Sequence, residues 1–182
     1  MYKTHLIATV ALILVGPVLL AGCGPQGDAG RNTTTETAPA SPDPTVPVEV
    51  TSISNQALDS AKSDSMCSID AVSSQGAIND SFAMAPSKTM VFGGWAATTD
   101  KTNPGHIILV LKGAESFQAP GSTGVQRPDV AKAFSSPGLM QSGFNAVVDT
   151  TPLPKGTYKL MVLEPSTNPS TLCDTHKTLV LE

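Results

Sequence analysis

Over residues 67–182 apolar side chains recur at the two-residue spacing of strands that bury one face. Phe144, Ala146 and Val148 alternate with Asn145, Val147 and Asp149, and Tyr158, Leu160 and Val162 alternate with Thr157, Lys159 and Met161. His106 to Lys112 carries a continuous apolar run, Ile107-Ile108-Leu109-Val110-Leu111, of the length of a central sandwich strand. Further strand signals run from Ser68 to Val72, Thr89 to Ala97 and Thr175 to Leu181, and Asn103-Pro104-Gly105 and Leu153-Pro154-Lys155-Gly156 punctuate them as turns. One segment departs from the pattern: Arg127 to Phe134 has Pro128 near a helix start and Asp129 in the first turn, and Ser136-Pro137-Gly138 stops it. The pattern predicts an all-β sandwich of about seven short strands with one short helix.

The first residues obey a different rule. Lys3 and His5 make a short polar start, and Leu6 to Leu20 is apolar apart from Thr9 and the Gly16-Pro17 break. As a helix this run reaches only about 22 Å, short of the roughly 30 Å hydrocarbon core of a bilayer, so it suits an export signal better than a permanent span. It ends in Leu20-Ala21-Gly22-Cys23, which resembles the lipobox of bacterial lipoproteins at each of its four positions. The resemblance implies a signal peptide over 1–22, attachment of diacylglycerol to the Cys23 thiol, cleavage before that cysteine, and a membrane anchor of acyl chains such as palmitate. Two or more chains, at about 0.8 kcal/mol per buried CH₂, anchor stably. Gly24 resembles the lipoproteins sorted to the outer membrane, in a cell that has two membranes.

Residues 23–66 read as a tether. Gly27, Gly30, Thr33-Thr34-Thr35 and the run from Ala38 to Pro47 lack apolar periodicity and bury too little surface to offset the entropy of ordering. From Gly24 to about Val48 such a coil spans roughly 28 Å, lengthened by its prolines. Residues 49–66, with Asn55-Gln56-Ala57-Leu58-Asp59-Ser60-Ala61-Lys62, fit either a short frayed helix or more linker.

Composition adds two constraints. The net charge of −4, with no basic block, gives no support to a nucleic-acid partner or a polybasic membrane-surface role. The cysteines other than Cys23 are Cys67 and Cys173, one near each end of the compact region, and an oxidising compartment makes a disulfide their natural state, with two buried thiols as the alternative.

A second resemblance covers about residues 67–182. Ile69-Asp70, Gly94-Trp95-Ala96, Arg127-Pro128-Asp129-Val130-Ala131, Ser142-Gly143-Phe144 and Gly156-Thr157-Tyr158 look like the ordered signature of an immunoglobulin-like accessory domain of bacterial envelope proteins and membrane glycosyltransferases. It implies an immunoglobulin-like β-sandwich and names no activity.

Candidate chemistry is sparse. His106 and His176 stand apart in sequence without metal-ligand spacing around them, Gly-x-Ser-x-Gly is absent, and no catalytic residue, metal or cofactor is expected. Trp95 stacks on a sugar ring or fills the core. Arg127 and Asp129 grip a ligand or pair locally around the short helix. The expected function is that of a non-catalytic interaction or structural module, lipid-anchored in the cell envelope with an envelope protein as partner. Glycan binding through Trp95, Arg127 and Asp129 is the alternative, and an enzyme with an unrecognised site the third reading.

Overall fold

The computed structural model describes residues 46–182 except Ser65, Thr167 and Asn168. The stretch read above as an export signal, Leu20-Ala21-Gly22-Cys23, and most of the stretch read as a tether lie outside the described residues. Eleven strands follow in order: β1 (Val48–Glu49), β2 (Thr51–Ile53), β3 (Lys62–Asp64), β4 (Cys67–Val72), β5 (Ser81–Met84), β6 (Met90–Ala96), β7 (His106–Lys112), β8 (Ser116–Val125), β9 (Gly143–Asp149), β10 (Gly156–Glu164) and β11 (Thr171–Leu181). Two short helices, α1 (Asn55–Asp59) and α2 (Pro128–Ala133), complete the fold. The all-β class holds, but with eleven strands in one curled, half-barrel sheet where about seven were expected.

The main path through the sheet is β3-β11-β10-β7-β8-β9-β6-β4. Strand β8 is the bend. Its first part, from Ser122 back to Phe117, pairs with β7, while Thr123 and Val125 pair with β9 across an irregularity. Gly124 takes φ 145°, a conformation that side-chain-bearing residues rarely adopt, and so lets the strand change partners. The two halves joined there face each other across one core. Ile69, Phe92, Phe144 and Val148 come from one half and Ile107, Leu109, Leu111, Leu160 and Leu179 from the other.

The alternation read in the sequence is the inward face. Phe144, Ala146 and Val148 are buried, as are Tyr158, Leu160 and Val162. The continuous apolar run of β7 has a separate cause: Val110 and Ile108 point away from the main core and meet a second cluster under α1, built on Leu58, Leu163 and Leu172. That strand is therefore covered on both faces.

The folded body begins earlier than residue 67. Val48 pairs in parallel with Val148 of β9, Thr51 to Ile53 pair with β8, and Lys62 to Asp64 lie parallel to β11. Between them α1 starts at Ser54, whose hydroxyl accepts from the Ala57 N–H at 3.2 Å, and it seats Leu58 at 1% exposure. Residues 48–64 thus belong to the folded body, because Leu58, with Val50, Ile53 and Ala61 partly buried beside the core clusters, seats a segment whose composition is otherwise that of a linker. The disulfide joins Cys67 of β4 to Cys173 of β11 with Cα atoms 6.1 Å apart, and so links strands near the two ends of the sheet path.

Candidate functional site

Four of the five sequence motifs meet at one corner of the β4-β6-β9 half. In β4 the ladder to β6 pairs Ile69 with Gly94 and Ala71 with Gly93, so Asp70 is an extra residue in a bulge. The strands close up there. A Cβ on Gly94 would lie 2.1 Å from the Ser68 carbonyl oxygen and 3.0 Å from Cζ of Phe144, so only glycine fits opposite the bulge.

Next along β6, Trp95 pairs with Ser68 on one side and Gly143 on the other, and Gly143 in turn pairs with Val125 of β8. The aliphatic stem of Arg127 lies over Gly143: a Cβ added there would be 2.8 Å from Arg127 Cγ. The missing side chain is what admits the arginine. Its backbone N–H donates to the Met140 carbonyl at 2.8 Å, fixing the start of α2 against the following turn.

The Arg127 guanidinium makes a two-pronged contact with Asp129, Nε donating to Oδ1 at 2.9 Å and Nη2 to Oδ2 at 2.7 Å, while Nη1 donates to Asp70 Oδ2 at 2.7 Å. Ser68 Oγ donates to the other Asp70 oxygen at 2.7 Å. The hydrogen bonds from Arg127 hold the Asp129 carboxyl down at about 2, and the same bonds raise the guanidinium pKa against the opposing effect of its burial. The Arg127 side chain is 20% exposed, against 43% for Asp70 and 64% for Asp129, so the cation sits inside and the carboxylates form its rim.

Trp95 is half-buried. Its ring meets Phe134 at 5.3 Å between centroids with the planes tilted by 56°, in a small cluster with Val130, Ala131 and Leu139. The sequence candidates Trp95, Arg127 and Asp129 are therefore brought to one corner, but Arg127 spends its donors on two carboxylates of the chain, and Trp95 supports α2. Chemically the arrangement is a clamp that fastens α2 to the bulge of β4. Asp70 and Phe134 complete it. The sequence places Asp70 in a motif without showing its role, since a bulge leaves no periodic signal, and Phe134 reads there as no more than the end of the helix.

The histidines fall elsewhere. His106 opens β7, and His176, with its side chain 82% exposed and φ 56°, sits in a bulge of β11 with Asp174 Oδ1 3.9 Å from Nδ1. Thr175 of the same bulge is buried and donates to the Leu160 carbonyl at 2.6 Å. Beside it Lys177 binds Asp80 at 2.9 Å and, chiefly through that hydrogen bond, keeps the Asp80 carboxyl below its ordinary range. Among the described residues no group of three or more His, Cys, Asp and Glu is placed to hold a metal ion, and no helix is long and apolar enough to cross a membrane. Comparison of the chain with protein-family models, with curated proteins and with solved structures finds no match.

Proposed function

We propose that the protein is a lipoprotein of the bacterial cell envelope, anchored through Cys23, whose folded body is an immunoglobulin-like module for interaction or structure rather than catalysis. The observation that carries this reading is the order of features along the chain: a short apolar run, Leu20-Ala21-Gly22-Cys23, a Pro- and Thr-rich stretch, and then a disulfide-closed β body.

Two features support the immunoglobulin-like assignment. The order β4-β6-β9 with the second part of β8, against β11-β10-β7 with the first part of β8, corresponds to the A-B-E-D and G-F-C-C′ sheets of that fold. Strand β10 stands where strand F would, and near its start Tyr158 Oη donates to the Pro154 carbonyl at 2.7 Å, the contact of a tyrosine corner. On this reading β1, β2, β3 and β5 are additions along the edges, and the disulfide joins the first and last strands of the sandwich.

A non-catalytic role is supported by the pairing at the Arg127 corner, where the guanidinium already bonds two carboxylates of the chain. Glycan binding at that corner has less support, because it needs a free Arg127 and an open face of Trp95, and Phe134 lies against that ring.

The anchor is tested by labelling cells with a radioactive or clickable palmitate and comparing the native chain with Cys23→Ser. The expected result is label on the native protein and an unlabelled, uncleaved precursor for the variant; normal labelling of Cys23→Ser overturns the assignment. Crosslinking in the same cells, with Cys23→Ser as control, is expected to capture a stoichiometric envelope protein only with the anchored form. Recovery of glycan alone would replace this role with sugar binding.

A further inference from the structure

We draw no further inference here: the strongest candidate, the exposed apolar side chains of Val125 at the end of β8 and Met140 in the turn bonded to Arg127, is a surface patch with nothing in the structure to show what covers it.

Discussion

At the scale of single residues the chain spends its strongest polar contacts on holding itself together. Arg127 engages Asp129 by two donors and Asp70 by a third, and this order decides how stability responds to acid. The Asp129 carboxyl is depressed to about 2 in the folded protein and returns to its ordinary value near 4 in the unfolded chain. Its contribution is therefore present above about pH 4 and lost as pH falls toward about 2. Arg127→Gln should remove that slope from the difference between variant and native protein, measured by urea unfolding at pH 5, 4, 3 and 2, while costing about 1–2 kcal/mol near neutrality, a figure reduced for solvent at the exposed rim. An unchanged pH profile would show that the clamp is not what depresses Asp129. Gly94 makes a steric counterpart. Gly94→Ala forces a Cβ to 2.1 Å from the Ser68 carbonyl, where nothing flexible can move aside, and should cost about 3 kcal/mol or more. Gly105→Ala, at φ 75° with no atom within 4 Å, should lose only about 1–2 kcal/mol through backbone strain, and the gap between the two variants on thermal unfolding measures the clash.

At the scale of elements, what was legible in the sequence is what periodicity encodes. β7 spans His106–Lys112 as read, β9 and β10 bury the alternating residues, and α2 lies within the span that Pro128, Asp129 and Gly138 delimit. What escaped has local physical reasons. Strand β8 carries Pro120, Gly121 and Gly124, residues that signal turns, yet Pro120 stands opposite Ile108 in the ladder and Gly121 lies against Ile107, where an added Cβ would be 3.3 Å from Cγ1. Proline and glycine there mark a strand that bends between two halves, not one that ends. Strands β1, β2, β3 and β5 are two to four residues long, too short for any alternation to register. The candidate corner was half legible: motif residues named it, but the bulge at Asp70 and the packing of Phe134 on Trp95 depend on contacts far apart in the chain. Leu58 tests whether α1 belongs to the body. Buried to 1% exposure against Val110, Leu163 and Leu172, it should cost about 2–4 kcal/mol when replaced in Leu58→Ala, whereas a Leu on a frayed linker would cost almost nothing. Hydrogen exchange would add a local reading, since the variant should lose protection first at Ser60 and Lys62, whose amides bond Gln56 and Ser170.

At the scale of the whole molecule the curled sheet has a seam, and the disulfide sits on it. Following hydrogen-bonded neighbours, β4 and β3 lie at opposite ends of the path, yet they are consecutive along the chain, and Cys67 at the start of β4 is joined to Cys173 in the strand beside β3. Noncovalent bonds cross there too, since the Ile78 amide donates to the Asp70 carbonyl of β4 while the Ile78 carbonyl accepts from Lys177 of β11 at 3.4 Å. The covalent link adds a direct tie between β4 and β11. It closes a loop with a sequence separation of 106 residues, for which chain entropy predicts about 4–5 kcal/mol of stabilisation through restriction of the unfolded chain. Cys67→Ala/Cys173→Ala leaves a small void in the main core as well, since both side chains are buried there, so its total cost should reach about 4–6 kcal/mol. For a body of this size that corresponds to a fall in melting temperature of roughly 10–20 °C. The loss should also be uneven. With the tie removed, amides of β3 and the first half of β4 should exchange through local opening, while those of the β7-β10 ladder, flanked by strands on both sides, keep exchange rates set by global unfolding. A double variant that melts within about 2 °C of the native protein, with β3 as protected as β7, would show that packing across the main core closes the sheet without the disulfide.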